Sequence, residues 1–230
     1  SPQSELTVQV SFFLLSRSVR EKVETFDKGW QFYCKSDKIN NVMGLTQKIF
    51  RRPLKMAIVS AEKFVQAARD NGYAIGGFNT NNLEWTQAIL RAAEAKKAPV
   101  LIQTSMGAAK YMGGYKMCKL LIETLVESMG ITVPVAIHLD HGHFDDALEC
   151  IEVGYSSLMF DGSHLPIEEN LKLAEEVIAK AHAKGISVEC EVGSIGGEED
   201  GIVGEGELAP IDDAVAMAKL GVDFLAAGIG

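Results

Sequence analysis

From Met56 onward, short apolar segments rich in β-branched residues alternate with longer segments of helical periodicity. Six strand segments occur, and a predicted helix follows each of the first five. Such repeats require parallel strands joined by helical crossovers, and strands buried on both faces are nearly continuous apolar runs. The sequence therefore predicts an α/β fold. The predicted strands are 74–79, 99–105, 133–140, 156–161, 187–193 and 223–228, and the predicted helices are 60–72, 83–97, 115–129, 144–153, 166–184 and 210–220.

Two parallel-sheet architectures fit this pattern. A doubly wound open sheet is complete with six strands, whereas a (β/α)8 TIM barrel has eight strands and typically about 250 residues. The segment 56–230 is short for a barrel, and no helix follows its sixth strand. Counting alone leaves the choice open. In both architectures the functional groups lie at the carboxyl ends of the strands.

Composition excludes several classes of partner. The 230 residues are 47% apolar and 23% charged, which is typical of a globular protein, and their net charge is -9. An acidic chain is a poor match for nucleic acid or an anionic membrane surface, and no apolar run is long enough to span a bilayer. The four cysteines form no CxxC pair, which favours a reducing, cytoplasmic location. They are Cys34, Cys118, Cys150 and Cys190.

The charge is unevenly distributed along the chain. Residues 1–55 carry ten basic and five acidic groups, whereas 56–230 carry 12 basic and 26 acidic groups. The first segment has no sustained strand or helix period, and its apolar run precedes its basic residues, the reverse of a signal peptide. We therefore predict two parts: an N-terminal extension of unknown structure, 1–55, and one α/β domain, 56–230.

Polar and charged side chains collect where the predicted strands end. Buried acids are costly unless they are paired or bind a metal, so the pattern predicts metal binding or acid–base chemistry at this edge of the sheet. Asp140 and His141 are strong candidates because they end a strand directly before Gly142. His138, deeper in the same strand, favours a packing role with hydrogen bonds. The residues at the strand ends are Asn79, Ser105, His138, Asp140, His141, Asp161, Glu189 and Glu191.

Two of these segments form recognisable motifs. The runs PVAIHLDHG, 134–142, and VECEVGSIGGEED, 188–200, resemble the two signature motifs of the class II, zinc-dependent ketose-bisphosphate aldolases. Segments 77–79, 159–161 and 226–230 add to the likeness, which is greatest with the short Gram-positive branch of fructose-bisphosphate aldolases. The resemblance covers 56–230 and none of 1–55. It implies a TIM barrel, represented here by about six βα units.

The resemblance also implies roles for individual residues. It makes Asp140 the acid that exchanges a proton with the substrate hydroxyl, and His141 a ligand of the catalytic Zn²⁺. It makes Asp161 and Glu191 ligands of a second divalent metal, and it implies a monovalent cation. Ser105 and Asn79 would contact the substrate. Glu199, with Glu198 as a rival, would be a base on the acidic loop.

The implied activity is a glycolytic lyase reaction in the cytoplasm. Fructose 1,6-bisphosphate would be cleaved reversibly to dihydroxyacetone phosphate and glyceraldehyde 3-phosphate through a zinc-stabilised enediolate, by a homo-oligomer. Tagatose 1,6-bisphosphate, which differs at one stereocentre, is the alternative substrate. An aldolase that uses a Schiff base needs a lysine at a strand end, and none of the ten lysines after Met56 ends a predicted strand.

The sequence departs from the family in one respect. The family's two other zinc-binding histidines, and its phosphate site, follow strands seven and eight, so His141 is the one zinc ligand of that set within the 230 residues. A catalytic zinc normally has three protein ligands. We therefore expect a C-terminally truncated aldolase domain with little activity and weak zinc affinity by itself. The alternative is a non-catalytic fragment that binds or assembles through its basic, aromatic N-terminal segment.

Overall fold

The computed structural model describes residues 57–194 and 206–229 in full and residues 197–199 and 202–204 by their backbone. The predicted extension, 1–55, lies outside the described residues. The helices of the described parts are α1 (Glu62–Asn71), α2 (Leu83–Lys96), α3 (Met106–Met112), α4 (Tyr115–Ser128), α5 (Phe144–Val153), α6 (Ile167–Ala183) and α7 (Ile211–Lys219). The strands are β1 (Gly76–Asn79), β2 (Val100–Ser105), β3 (Val135–Gly142), β4 (Ser157–Phe160), β5 (Ser187–Val192), β6 (Gly197–Glu199), β7 (Ile202–Gly204) and β8 (Phe224–Ala227).

Six of these strands form one parallel sheet. Its order is β1-β2-β3-β4-β5-β8, and every neighbouring pair is parallel. Within this sheet, each strand lies beside the sheet strand that precedes it in the sequence. The small hairpin β6–β7 comes between β5 and β8 in the sequence and forms a separate two-stranded sheet. A doubly wound sheet would reverse direction at a switch point, whereas a barrel adds strands in sequence. The sheet is therefore a half-barrel, which confirms the predicted α/β, TIM-barrel type of fold.

The two faces of the sheet bury different chemistry, because successive side chains of a strand alternate between faces. Apolar side chains of β2 to β5 form the main core with helices that include α4, α5 and α6; examples are Ile102, Ile137 and Leu158. The inward face carries buried polar residues. These are Gln103, Ser105, His138, Asp140, Ser157, Ser187, Glu189 and Glu191.

Helix α1 covers the inward face at the amino end of the sheet. Phe64 and Val65 of α1 form a second apolar cluster with Leu101, Ala136 and Phe224, which lie near the starts or on the inward face of three strands. This cluster fills the lower part of the half-barrel. The polar residues therefore lie above it, towards the carboxyl ends of the strands.

The structure adds two elements that the sequence pattern did not predict. Helix α3 begins directly after β2, and the acidic loop after β5 contains the antiparallel hairpin β6–β7. The remaining helices and strands lie where they were predicted, with ends that differ by a few residues.

The described cysteines are small core residues. Cys118, Cys150 and Cys190 are buried and free, and burial raises the pKa of each thiol. Within the described part of the chain, no helix is both long and apolar enough to cross a membrane.

Candidate active site

Strand β3 brings two functional candidates to the carboxyl end of the sheet. Its register against β4 shifts between Leu139 and Gly142, and His141 has a φ of 48°. A residue with a side chain seldom adopts this left-handed conformation, and such irregularities gather at functional sites. Asp140 lies on the inward face, whereas His141, in the bulge, contacts the end of β4.

Two amide side chains hold the Asp140 carboxylate. Asn79 Nδ2 donates to Asp140 Oδ2 at 2.7 Å, and Gln103 Nε2 donates to Oδ1 at 2.9 Å. A Cβ on Gly77 would lie 2.3 Å from Gln103 Oε1, so glycine at that position leaves room for the glutamine. Asp140 is 5% exposed. The carboxylate is therefore buried and fixed in orientation.

Next to Asp140, three side chains form a cluster with metal-binding potential. His141 Nδ1 lies 2.8 Å from Asp161 Oδ2 and 3.4 Å from Glu191 Oε2. One ligand atom from each residue lies within 4.8 Å of the others. An imidazole nitrogen and two carboxylate oxygens are ligands that Zn²⁺ accepts, so these residues fit a divalent metal.

The charge of Asp161 suits such a role. Burial alone would raise the pKa of this carboxyl, but hydrogen bonds from His141 and Ser163 outweigh burial and lower the pKa to about 2. Asp161 is therefore a carboxylate at neutral pH. Because carboxylates bind metal in the ionised form, no proton has to be displaced from this ligand.

Beneath the cluster, a chain of hydrogen bonds crosses the inward face. The backbone N–H of Ala61 donates to Ser187 Oγ at 3.1 Å, and Ser187 donates to Ser157 Oγ at 2.9 Å. Ser157 Oγ lies 2.8 Å from His138 Nδ1. The two serine hydroxyls therefore connect the His138 ring to the start of α1. His138 thus has the packing and hydrogen-bonding role that its position in the strand favoured.

The other ring nitrogen of His138 faces the buried carboxyl group of Glu189. His138 Nε2 lies 3.4 Å from Glu189 Oε2. Burial lowers the pKa of His138 to about 4, and burial together with the neighbouring Asp140 raises the pKa of Glu189 to about 8. Both side chains are therefore held largely in their neutral forms near pH 7, which reduces the cost of burying them.

The structure brings most of the predicted site residues together. Asn79 contacts Asp140, and His141 contacts Asp161 and Glu191. Ser105 lies beside Asp140 in the β2–β3 register, but its hydroxyl accepts from Ala108 N at 3.2 Å and so caps α3.

The predicted base lies in the acidic segment after β5. Glu199, like its rival Glu198, belongs to the β6–β7 hairpin, where the structure describes only the backbone. The placement of either carboxylate therefore lies outside the described side chains.

Two polar residues at the site were not predicted. Gln103 could have been found, since it is a polar residue inside an apolar strand, two positions before Ser105 and so on the same face. Asn170 of α6 donates to the Glu191 backbone carbonyl, and its spacing in the sequence gives no such signal.

Comparison with known proteins agrees with this geometry. Residues 59–230 match the family model described as fructose-bisphosphate aldolase class-II. The chain is 86% identical over 175 residues to the fructose-bisphosphate aldolase of Streptococcus pneumoniae serotype 4, and 82% identical over 175 residues to that of Streptococcus pyogenes serotype M1. Each match covers 76% of this chain and 60% of the relative, so the chain spans about 60% of the length of these curated relatives.

A solved structure shows the same likeness in three dimensions. The YdjI aldolase from Escherichia coli K12 superposes with a TM-score of 0.62 at 28% identity, over 75% of this chain and 62% of that one. The family match, the sequence identities and the fold therefore point to one family. The chain belongs to the class II fructose-bisphosphate aldolase family.

Proposed function

We propose that the whole protein to which these residues contribute is a zinc-dependent aldolase. It cleaves fructose 1,6-bisphosphate reversibly to dihydroxyacetone phosphate and glyceraldehyde 3-phosphate, in cytoplasmic glycolysis, as a homo-oligomer. The observation that carries this proposal is the Asp140 carboxylate, oriented by two amide donors beside a His141–Asp161–Glu191 cluster.

The family resemblance divides the metal roles, and the His141–Asp161–Glu191 cluster supplies ligand types that fit them. His141 would hold the catalytic Zn²⁺, and Asp161 and Glu191 would hold a second divalent metal. When bound, Zn²⁺ supplies a Lewis acid that polarises the substrate carbonyl. The family resemblance adds a monovalent cation at a separate position.

Asp140 transfers the proton in this proposal. Each carboxylate oxygen accepts one amide hydrogen bond and retains further acceptor capacity, so the group can take a proton from a substrate hydroxyl and return it. The amides of Asn79 and Gln103 prevent the carboxylate from rotating, which keeps it aimed at the substrate. Asn79 and Ser105 contact the substrate, and Glu199 exchanges the second proton.

Fructose bisphosphate is preferred over tagatose bisphosphate because the similar curated proteins are named fructose-bisphosphate aldolases. The two sugars differ at one stereocentre. The ratio of their kcat/KM values measures this preference directly.

The 230 residues by themselves would contribute only part of the proposed site. Among the family's zinc-binding histidines they supply His141, and three protein ligands are normal for a catalytic zinc. We propose that this polypeptide alone has little aldolase activity and weak zinc affinity. A non-catalytic fragment that acts by binding or assembly is the competing function.

The proposal is tested with a chimera. Residues 57–230 are joined to the part of the Streptococcus pneumoniae relative that the match does not cover, and cleavage of fructose 1,6-bisphosphate is measured. Because general acid–base catalysis contributes roughly 10²- to 10⁴-fold, Asp140→Asn should lower kcat by at least about 100-fold with little change in KM.

A matched control separates this loss from a change in surface charge. Asp145→Asn removes an exposed carboxylate five residues along the chain and should leave kcat unchanged. The 230-residue chain, assayed in parallel, should show little or no turnover. An Asp140→Asn chimera that folds and keeps kcat within about twofold of the parent would contradict the assigned role.

A further inference from the structure

Asn170 occupies an unusual position for an asparagine. It lies near the start of α6, a place where polar side chains usually face water, yet it is only 2% exposed. Its Nδ2 donates to the backbone carbonyl of Glu191 at 3.0 Å. Asparagine is a poor residue for the body of a helix, so local propensity does not account for it.

The direction of the Glu191 carbonyl explains why a residue of α6 can reach it. In β5 the carbonyl of Val192 accepts from Gly228 N, on the β8 side. Alternate residues of a parallel strand direct their backbone groups to opposite neighbours, so the carbonyl of Glu191 points towards β4.

Strand β4 ends just before the level of this carbonyl. Its last residue, Phe160, pairs with Cys190, and the next amide, Asp161 N, donates to Gly142 O on the β3 side at 2.9 Å. The Asn170 amide therefore adds a hydrogen bond to β5 immediately beyond the last paired residue of β4.

The same amide packs against the chain after β4. A Cβ on Gly162 would lie 2.4 Å from Asn170 Oδ1 and 2.8 Å from its Cγ, so only glycine allows this approach. Asn170 thus touches the residue that follows Asp161 and also binds the backbone of Glu191. It lies between two of the three cluster residues and bridges their strands.

We propose that Asn170 is a positioning residue for the metal cluster. By holding the ends of β4 and β5 at a fixed separation, it keeps the carboxylates of Asp161 and Glu191 within reach of His141. This inference rests on the proposed metal-binding function of that cluster. Groups that orient metal ligands typically contribute 10- to 100-fold to metal affinity.

The test is calorimetric titration of the full 230-residue chain with Zn²⁺ alone. Asn170→Ala should weaken binding about tenfold or more. Gly162→Ala should also weaken it, because the new Cβ displaces the amide that contacts Glu191. Each metal-free variant is first melted to confirm a cooperative transition, so that a loss of affinity is not a loss of fold.

The double variant gives the sharpest result. With alanine at position 170 the space that the Gly162 Cβ needs is open, so Gly162→Ala/Asn170→Ala should bind Zn²⁺ no more weakly than Asn170→Ala alone. As a control, Asn71→Ala removes an exposed asparagine that donates to Ala67 O at 2.8 Å, in the last turn of α1. Its zinc affinity should equal that of the parent chain.

The outcomes separate the two levels of the proposal. The titration extends to millimolar Zn²⁺, because the affinity of this chain is expected to be weak. If the parent chain binds no Zn²⁺ in that range, the proposed metal cluster is wrong and the role of Asn170 falls with it. If the parent binds Zn²⁺ and folded Asn170→Ala binds it equally well, the positioning role is wrong. The role is also wrong if the decreases in Zn²⁺ affinity of the two single variants multiply in the double variant. Should Asn170→Ala not fold, an unchanged affinity in folded Gly162→Ala overturns the role.

Discussion

At the scale of single residues, the site is governed by which buried groups carry charge. Asp161 stays ionised because His141 and Ser163 donate to it, whereas His138 and Glu189 are kept largely neutral by burial. The ionised group belongs to the metal cluster. The neutral pair lies beneath it, where solvent is excluded and an unpaired charge would cost most.

His138 should make the protein sensitive to acid. Its pKa is about 4 in the folded state and about 6.5 ordinarily, so the unfolded chain binds more protons between these values. The contribution of His138 to the free energy of unfolding should therefore fall as the pH decreases from about 6.5 to about 4, whereas the raised pKa of Glu189 acts in the opposite direction. Proton linkage predicts that the His138 contribution to the free energy of unfolding decreases by about 2 kcal/mol between pH 7 and pH 5.

The variant His138→Asn isolates this effect, because its amide can form a hydrogen bond with Ser157 but does not titrate. Urea unfolding at pH 7 and pH 5 gives, for each protein, the change in its free energy of unfolding between the two pH values. The parent should lose more stability than the variant on acidification. Equal losses would show that His138 is protonated as readily in the folded protein as in the unfolded one.

The sequence predicted some of these residues and missed others for a physical reason. Asp140 and His141 end a strand, and that position is readable from the local pattern. Gln103 reaches Asp140 across 37 residues, and Asn170 reaches Glu191 across 21. Such contacts depend on strand register and on where β4 ends, neither of which a single sequence reveals.

At the scale of elements, short polar side chains cap the starts of two helices, α2 and α3. Asn82 has an extended backbone, and its side chain accepts from Trp85 N at 2.8 Å to cap α2. Ser105 does the same for α3. Asn82 follows β1 and Ser105 ends β2, so both caps lie at the carboxyl edge of the sheet beside the candidate site.

Loss of the α2 cap should lower stability. Asn82→Ala leaves an N–H of the first turn without its acceptor and should reduce the free energy of unfolding by about 1 kcal/mol. Asn82→Ser keeps an acceptor oxygen and should recover most of that loss. Urea denaturation measures both, and an alanine variant as stable as the parent would show that the cap contributes nothing.

Strands and long helices were predicted well because their periods are local. Helix α3 was missed because it has seven residues, contains Gly107, and ends at the Gly113–Gly114 pair. Too short to show a period, it is stabilised by its cap and by packing beside β2. The hairpin β6–β7 was missed because its glycine-rich, acidic sequence is typical of a loop.

At the scale of the whole molecule, the apolar core and the candidate site lie on different parts of the sheet. Its outer face packs on helices, its inner face is closed at the amino end by α1, and the candidate site lies at the carboxyl ends. All ten lysines of the described segment lie in helices or at their C-caps, and none lies in a strand. No lysine of the described residues therefore ends a strand, the position that a Schiff base would need.

Our main proposal is that residues 57–230 are part of a metal-dependent aldolase. The most direct measurement is cleavage of fructose 1,6-bisphosphate by the chimera after treatment with a chelator, and separately after borohydride reduction in the presence of substrate. We predict that the chelator abolishes activity, that Zn²⁺ restores it, and that borohydride has no effect. Activity that survives the chelator but is lost to borohydride would contradict the account.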